Sequence, residues 1–373
     1  FIYFMKILIL IGPFASLSSE SYGGVEKFWL TMGKKFNELG HKITFISKKI
    51  NGDSKDKIIN KILFKRINGF LSTESKFYRL VLDFLYTIKA ALVLPNEIDI
   101  IVTNTFWSPI ILPFIVNKKT KIYVDVARMP KGQIFLYKYV ARLRVNTNIV
   151  KKNIIKEVSS KLAKKIKVIP PSLPFISPRN INLKNKKPLI VYLGRIHEEK
   201  GIELFINSLK KINLKKWKVK IIGPWKINDG GSGLSYLNYL TNQITSKSIT
   251  IDNPISVKKI FELYQQTAIF VYPSLAKNET FGLSVAEFMS YGAVPIVSNL
   301  DCFKDYITHN YNGMIFNHEK HNSNLLLSNY LEKLIKNNKF RLKLSKKAFN
   351  INKTHSVNKI AQTLLSDFKN LIK

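Results

Sequence analysis

Short apolar runs alternate with longer amphipathic stretches along most of the chain, and this alternation constrains the fold more than any other feature. In the first half, the runs predicted as strands are Lys6–Ile11, Lys42–Ser47, Ile98–Thr103, Lys121–Val126 and Lys165–Ile169. Stretches between them, such as Val25–Leu39 and Phe77–Leu94, have helical spacing. This pattern predicts parallel sheets that are covered by helices on both faces.

A proline-rich segment interrupts the alternation near the middle of the chain. Three prolines fall between Pro170 and Pro174, which neither a helix nor a central strand accommodates. The alternation then restarts, with predicted strands at Leu189–Leu193, Lys218–Ile222, Ile249–Ile251, Ile269–Tyr272 and Val294–Val297. A chain of 373 residues is also too long for one ordinary core. We therefore predict two α/β domains, residues 1–172 and 188–355, a linker at 173–187, and a final amphipathic helix at 356–373.

The composition is strongly basic, with 60 Lys and Arg against 24 Asp and Glu, a net charge of +36. Two interpretations stay open: attraction to nucleic acid, anionic lipid or phosphorylated substrates, and codon bias, since Lys, Ile and Asn are all abundant. The single cysteine, Cys302, excludes an intramolecular disulfide and suits a reducing compartment.

The apolar runs bear on location. No uninterrupted apolar run of eighteen residues occurs, so we predict no transmembrane helix. Lys6–Ile11 is predicted as a buried strand rather than part of a signal peptide, because no A-x-A-like cleavage site follows. We expect a cytoplasmic protein, and peripheral attachment to the inner face of the membrane stays open.

Two segments place glycine and cations where α/β proteins bind anions. Gly23-Gly24-Val25-Glu26 opens the first helix after the first strand, where free amides attract anions. Arg195 follows a predicted strand, and Lys200 lies five residues later, before a helix. Ligands of open α/β sheets bind beyond the carboxyl ends of strands, where arginine grips phosphate and lysine adds charge. Either cation alone could be a solvated surface residue, but their placement together favours phosphate binding.

A third segment, residues 279–287, begins as a loop and becomes a helix. Gly282, Leu283 and Ser284 would present free amides at the helix start, which suits a diphosphate. Glu279 precedes this helix and Glu287 lies about one turn inside it. Carboxylates beside a phosphate site need polar partners of their own, such as sugar and ribose hydroxyls. The alternatives are a helix-dipole role for Glu287 and a solvated loop position for Glu279, and the scarcity of acids favours the functional interpretation.

These segments resemble motifs of the retaining glycosyltransferases of family four, which have the GT-B fold of two Rossmann-like domains facing a cleft. Residues 279–287 resemble the family's E-x7-E motif, and residues 191–201 its strand-G-R-(x4)-K-G segment. Residues 23–26 resemble its G-G-V-E loop, and residues 312–316 its N-G-x-x-F element. The four motifs stand in the family's order, and the match is stronger in the C-terminal half.

The resemblance implies a role for each matching residue. Arg195 and Lys200 would hold the donor diphosphate, Glu287 the donor ribose and Glu279 the transferred sugar. The amides of residues 282–284 would contact sugar hydroxyls and phosphate, and Gly24 would approach the phosphate from across the cleft. The last helix would cross back onto the first domain. A sugar would move from a nucleotide-diphosphate sugar to a hydroxyl of a glycan, lipid-linked or lipopolysaccharide-type acceptor with retention. No cofactor or metal would be required, and the chain lacks a D-x-D motif.

The acceptor side departs from the family's pattern. Many members carry a histidine after the strand that corresponds to Lys121–Val126, where this chain has Asp125 and Arg128. Asp125 could take over catalytic work by accepting a hydroxyl hydrogen bond, or could only cap a turn. Arg128 could bind phosphate or acceptor. Phe77–Leu94 and Lys131–Arg144 mix aromatic residues with cations, and either could lie on an anionic membrane surface or be an ordinary core-facing helix.

Other functions remain as alternatives to sugar transfer. The missing histidine is compatible with a protein that binds nucleotide sugars without transferring them. Epimerisation or phosphorolysis would keep the fold, although the combined motifs favour transfer. Nucleic-acid binding rests only on the net charge of +36, and no zinc-finger, helix-turn-helix or RNA-recognition signature supports it. We therefore expect no nucleic-acid partner.

Overall fold

The computed structural model of the chain describes residues 4–14, 17, 23–49, 56–178 and 180–373. Contacts within the chain divide it into two compact units. The first unit comprises Phe1–Phe175 and Val357–Lys373, and the second unit comprises Ile176–Ser356.

The strands of the described residues are short and, in the centres of both sheets, almost wholly buried. They are β1 (Lys6–Leu10), β2 (Lys42–Lys48), β3 (Asp56–Ile59), β4 (Ile62–Ile67), β5 (Ile100–Thr103), β6 (Lys121–Val126), β7 (Arg142–Val145), β8 (Ile166–Val168), β9 (Leu189–Leu193), β10 (Lys218–Ile222), β11 (Ile249–Asp252), β12 (Ile269–Tyr272), β13 (Val294–Ser298) and β14 (Met314–Phe316). Runs of Ile, Val and Leu that are buried on both faces are typical of parallel sheets between helical layers.

The helices of the described residues connect these strands. They are α1 (Gly24–Glu38), α2 (Lys76–Ala91), α3 (Ser108–Ile115), α4 (Asn148–Ile155), α5 (Ser160–Ala163), α6 (Ile202–Leu209), α7 (Gly233–Asn242), α8 (Val257–Gln266), α9 (Leu283–Ser290), α10 (Ser323–Lys336), α11 (Asn338–Ala348), α12 (Ile351–His355) and α13 (Val357–Ile372). Within the described ranges, no helix has both the length and the apolar character that a membrane span requires.

The first unit contains a sheet with the strand order β3-β4-β2-β1-β5-β6-β7-β8. All neighbouring strands pair in parallel except β3 and β4, which form an antiparallel hairpin at one edge. The strand order reverses between β1 and β5, which is where doubly wound sheets open a crevice for ligands.

The last helix, α13, packs on the first unit. Ile360, Leu364 and Phe368 of α13 join its core, where the Phe368 ring lies edge-on to Tyr123 with centroids 4.8 Å apart. Asp367 of α13 is also fully buried, and Arg142 and Lys167 form ion pairs with it at 2.9 Å. Apolar packing and a paired buried charge thus fix this helix on the sheet of the first unit.

The second unit contains a parallel sheet with the strand order β11-β10-β9-β12-β13-β14. Numbered within the unit, this is the order 3-2-1-4-5-6 of dinucleotide-binding folds, with its switch point between β9 and β12. The predicted fold class of two doubly wound parallel α/β sheets is confirmed.

A hairpin and one longer segment are among the differences between the structure and the sequence-based predictions. The β3–β4 hairpin was not predicted, and its two-residue turn places Asn60 and Lys61 in the left-handed region, with φ of 50° and 64°. The alternative that Lys131–Arg144 is a core-facing helix is wrong. That segment contains a 3-10 turn at Ile134–Leu136 and ends within β7. Leu143 of β7 pairs with Val124 of β6 and with Ile166 of β8, so this part of the segment is a strand of the sheet.

Candidate active site

The loops that follow β9 and β12 meet at the carboxyl edge of the second sheet. Gly201, in the loop after β9, has a φ of +65°, and a Cβ added to it would stand 2.1 Å from the carbonyl oxygen of Pro273 in the loop after β12. Only glycine tolerates this backbone conformation and this close an approach. The backbones of the two loops are therefore in close contact, and the polar side chains that the loops carry lie together at the carboxyl edge of the sheet.

Arg195 is the second residue after β9 and has hydrogen-bond acceptors on two sides. Its guanidinium donates to the carbonyl oxygen of Gly230 at 2.7 Å and to Glu199 Oε1 at 2.7 Å. Glu199 stands one helical turn after Arg195 in a short 3-10 turn, and the sequence-based analysis missed it. These contacts fix the direction of the guanidinium while 43% of the side chain stays exposed.

Lys200 ends the same 3-10 turn, and its side chain points into the unit. Its ammonium lies 2.9 Å from Glu279 Oε2 and 3.9 Å from Glu199 Oε1. It also lies 5.7 Å from the centroid of the Tyr272 ring. The side chains of Lys200 and Glu279 are only 9% and 14% exposed, so this pair is largely removed from water.

Tyr272, the last residue of β12, completes this cluster. Its hydroxyl donates to Glu279 Oε2 at 3.0 Å. Burial, reinforced by the Glu279 charge, raises the pKa of Tyr272 well above its usual value, so the hydroxyl keeps its proton and remains a donor. Arg195, Lys200, Glu199 and Glu279 thus form a continuous charged cluster in which two cations face two carboxylates.

Helix α9 begins at the same edge, after the loop that carries Glu279. Its first residue, Leu283, follows Gly282, which has φ of +74°. A Cβ at Gly282 would lie 2.6 Å from Phe303 Cε1, so glycine is required there as well. Among the described residues no side chain caps this helix. The amides of its first turn, including that of Ser284, can therefore bind an anion or a hydroxyl oxygen.

Glu287, the other carboxylate of the segment, lies inside α9 and has a different partner. Its Oε2 accepts a hydrogen bond of 2.8 Å from the hydroxyl of Tyr264 in α8. Burial and the neighbouring Glu287 charge raise the pKa of Tyr264 well above its usual value, so this hydroxyl also stays protonated. Arg195, Lys200 and Glu279 are joined by direct contacts, whereas Glu287 belongs to a separate hydrogen-bonded pair on the same strand-to-helix segment.

The candidate site residues of the first unit, Gly24, Asp125 and Arg128, differ from one another in exposure and in their contacts. Gly24 is the first residue of α1, and a Cβ there would meet no atom within 4 Å, so its backbone is open to a close approach. Asp125, near the end of β6, is 1% exposed at its side chain. It accepts from Trp29 Nε1 at 2.7 Å and from Arg144 at 2.6 Å. The Asp125 carboxylate is thus a buried anchor between α1 and β7.

Arg128 follows β6 and is exposed at the rim of a pocket of about 490 Å³ within the first unit. Arg79 of α2 also lines this pocket, together with Asn104 and Gln133. Asn104 Oδ1 is buried there and has no hydrogen-bond partner among the described residues. The sequence singled out Arg128 for the acceptor side, whereas Arg79 was marked only as a cation of the amphipathic stretch Phe77–Leu94.

The described part of the chain contains no group of three or more His, Cys, Asp or Glu side chains arranged to hold a metal ion. The groups that could neutralise a diphosphate in the second unit are Arg195, Lys200 and the amides at the start of α9. Metal independence of the reaction stays a prediction.

Comparison with known proteins identifies the second unit. Residues 176–351 match the family model described as glycosyl transferases group 1. Over these residues the chain is similar to the glycosyl transferases group 1 family. The family resemblance predicted from the four motifs is thereby confirmed over the region that carries the charged cluster and α9.

Curated relatives of this chain are similar to it over part of their length. One is the N,N'-diacetylbacillosaminyl-diphospho-undecaprenol alpha-1,3-N-acetylgalactosaminyltransferase of Campylobacter jejuni, 28% identical over 196 residues, which are 52% of this chain and 48% of that protein. Another is an uncharacterized glycosyltransferase of Methanocaldococcus jannaschii, 27% identical over 137 residues, 36% of this chain and 33% of that protein. The chain thus spans between a third and a half of the length of these relatives.

Solved structures share the fold over nearly the whole chain. A glycosyltransferase from Rickettsia africae has a TM-score of 0.75 and 18% identity, and each chain is covered to 100%. The sucrose-phosphate synthase of Thermosynechococcus elongatus has a TM-score of 0.77 and 17% identity, covering 98% of this chain and 99% of its own. Anabaena HepE, solved in complex with UDP, has a TM-score of 0.72 and 15% identity, covering 98% of this chain and 100% of its own. At these identities the likeness establishes the fold.

Proposed function

We propose that this protein is a glycosyltransferase that moves a sugar from a nucleotide-diphosphate sugar to a hydroxyl of a glycan, lipid-linked or lipopolysaccharide-type acceptor. The observation that carries the proposal is the cluster in which Arg195 and Lys200 stand beside Glu279 at the carboxyl edge of the second sheet. It lies at the switch point between β9 and β12, where doubly wound sheets bind nucleotides. The second unit would hold the donor and the first unit the acceptor.

The chemistry of this cluster suits departure of a nucleoside diphosphate. Breaking the anomeric bond leaves extra negative charge on the diphosphate and positive charge on the sugar. Arg195, Lys200 and the amides of residues 282–284 would stabilise the leaving group, because donors fixed in advance act most strongly in a site shielded from water. Glu287, held by Tyr264, would bind the donor ribose.

Glu279 would have two tasks. Its Oε2 positions the Lys200 ammonium, which lies 2.9 Å away, and its charge would steady the developing positive charge on the sugar. The family resemblance implies that the anomeric configuration is retained and that no metal is needed. We adopt both as part of the proposal. A protein that only binds nucleotide sugars, or an epimerase, would not require an acceptor pocket.

The pocket of the first unit is the proposed acceptor site. Arg79 and Arg128 line it, so an acceptor that carries phosphate near its reacting hydroxyl would be bound there. The relative from Campylobacter jejuni, whose name specifies a diphospho-undecaprenol acceptor, supports an acceptor of this class. Asp125 would act as a positioning residue for the sheet edge beside the pocket, because its carboxylate is engaged by Trp29 and Arg144. We propose a cytoplasmic location for the reaction, at the inner face of the membrane.

Release of nucleotide from a panel of UDP-, ADP- and GDP-sugars, with bacterial lipid extract as acceptor, tests the proposal. We expect one donor class to release nucleotide only with acceptor present, equally with and without EDTA, and NMR of the product to show the donor's anomeric configuration. Arg195→Ala and Lys200→Ala should lower turnover at least 100-fold. Lys210→Ala, a control cation that follows α6, should not. Unchanged turnover in both site variants would exclude this site.

A further inference from the structure

Helix α2 of the first unit is attached to its neighbours by polar contacts along one side. The buried residues of α2 are Asp83, Tyr86, Thr87 and Ala90, which recur at helical spacing. Asp83 accepts from the backbone amides of Phe106 and Trp107, both at 3.0 Å, and the Thr87 hydroxyl lies 3.1 Å from that of Ser108. These contacts fix the rotation of the helix about its axis.

The apolar side of α2 faces away from the unit. Counted from Phe77 as position i, five further exposed apolar residues stand at i+3, i+4, i+7, i+8 and i+11: Leu80, Val81, Phe84, Leu85 and Ile88. We call these six residues the outer stripe of α2. In a surface helix the apolar stripe ordinarily faces the core, and an exposed one marks a binding surface. Tyr86 and Ala90 of α2 lie in the core of the first unit, so one side of the helix faces the core, whereas the outer stripe faces away from it.

The apolar surface continues beyond α2. Phe84 packs edge-on against Trp107, which precedes α3, with ring centroids 5.4 Å apart. At the far end of α3 the Phe114 side chain is 70% exposed and packs against the exposed ring of Tyr139. Aromatic rings that expose one face to water are favoured where protein meets the interface of a bilayer.

The exposed charged residues of α2 itself are positive, and one exposed acid, Glu74, lies two residues before the helix. Lys76 and Lys89 lie on α2 and are exposed. The single acid of α2, Asp83, is buried on the opposite side. The whole chain carries a net charge of +36. An apolar stripe flanked by lysine and without exposed acid on its helix is complementary to anionic lipid, whereas a second copy of this chain would bring like charges together.

We propose that the outer stripe of α2 docks the protein on an anionic lipid bilayer, with the helix lying in the plane of the interface. A helix of 16 residues is about 24 Å long, which suits an interfacial helix. The docking stands independently of catalysis. A further consequence rests on the proposed function: Arg79, on the same helix, lines the acceptor pocket, so docking would bring that pocket to the level of lipid-linked phosphate.

Co-sedimentation of the full chain with vesicles tests the docking. We expect binding to phosphatidylcholine vesicles that contain 30% phosphatidylglycerol, weak binding to phosphatidylcholine alone, and loss of binding as salt is raised. The triple variant Phe77→Ser, Val81→Ser, Leu85→Ser should lower the partition coefficient at least 100-fold. The matched control Ile227→Ser, Leu234→Ser, Val257→Ser changes exposed apolar residues of the second unit and should leave it unchanged.

The lysines are tested separately. Lys76→Ala with Lys89→Ala should weaken binding to the anionic vesicles roughly 25-fold, about fivefold for each lysine. No binding of the wild-type chain at low salt, or equal binding of the apolar triple variant, would overturn the proposal. A dimer seen by light scattering without lipid and dissolved by the triple variant would also overturn it, since the stripe would then belong to a second copy.

Docking and catalysis fail independently in these assays. Arg195→Ala should lose transfer and still bind vesicles, because it lies in the second unit and not on α2. Normal nucleotide release with no vesicle binding would overturn only the docking. Vesicle binding by a chain that releases nucleotide from none of the donors would overturn only the proposed function.

Discussion

The ion pair between Lys200 and Glu279 allows a quantitative test of the candidate site by a double-mutant cycle. Its N–O distance is 2.9 Å, and the two side chains are 9% and 14% exposed. Removing one partner of a buried pair typically costs about 3–5 kcal/mol, because the remaining charge is left in a poorly hydrated place. For Lys200→Met we expect the lower end, about 3 kcal/mol, because Tyr272 still donates to Glu279.

Removing the carboxylate instead of the ammonium should lower the free energy of unfolding by less. In Glu279→Gln the Lys200 ammonium keeps Glu199 at 3.9 Å, and we expect a loss of about 2 kcal/mol. The double variant removes both charges and should be no less stable than Lys200→Met alone. The two losses then fail to add, with a coupling free energy of about 2 kcal/mol.

Urea-dependent hydrogen exchange of peptides from β9 and β12 measures this coupling, because those strands report on the second unit alone. Lys304→Met with Asp301→Asn is the matched control: that pair is close, at 2.7 Å, but about half exposed, and its coupling should stay below about 1 kcal/mol. Additivity within about 0.5 kcal/mol for Lys200 and Glu279 would show that the two do not form the cluster described.

Three further predictions concern single side chains. Glu199→Gln removes a carboxylate charge 2.7 Å from the Arg195 guanidinium, so the nucleoside diphosphate that the wild type binds should bind several-fold more tightly in low-salt calorimetry. Weaker binding would show that Glu199 serves mainly to orient Arg195. Burial lowers the pKa of His355 from 6.5 to about 4. The free energy of unfolding is therefore unaffected by this group above pH 6.5 and falls by about 3 kcal/mol at most as the pH is lowered to 4. His355→Gln should flatten the plot of that free energy, measured with urea for the second unit, over this pH range. Burial raises the pKa of Asp83 from 3.8 to about 6, so its contribution to the free energy of unfolding is present below pH 3.8 and is lost as the pH rises through 6, again by about 3 kcal/mol. Asp83→Asn should flatten the plot of this free energy against pH for the first unit between about pH 4 and 6. An unchanged slope would contradict the shift.

Much of the fold could be predicted because its strands are buried on both faces. A run such as Leu189–Leu193 has no polar alternation, is bounded by turn residues and appears in the structure with the predicted limits. The β3–β4 hairpin could not be predicted in this way, because β3 is wholly exposed and the Asn60-Lys61 turn contains no glycine. The segment Lys131–Arg144 was ambiguous for a related reason: its apolar residues fit no single period.

Local motifs predicted Arg195, Lys200, Glu279 and Glu287, whereas two of their partners lie outside those motifs. Tyr272 of β12 donates to Glu279, and Tyr264 of α8 donates to Glu287. Glu199 could have been found, since an acid four residues after an arginine is a recognisable pair. Arg144 could not, because it meets Asp125 through the register of β6 against β7.

The outer stripe of α2 illustrates a limit of periodicity. The spacing of its apolar residues predicted the helix but did not predict which side of the helix would face the core. The buried side carries Tyr86 and Ala90, which join the core, and Asp83, which accepts from amides 23 and 24 positions away. The apolar residues left exposed on the other side are of the kind that marks a binding surface.

Calorimetric titration of UDP, ADP and GDP into the full chain tests the central claim most directly, because it asks whether the carboxyl edge of the second sheet binds a nucleoside diphosphate. We predict that one of the three binds and that Arg195→Ala, at a partly exposed position that should leave the fold intact, weakens its Kd about 10- to 100-fold, as loss of a charged hydrogen bond requires. Lys210→Ala should leave the Kd unchanged. Binding of none of the three nucleotides, or an equal Kd for wild type and Arg195→Ala, would contradict the account.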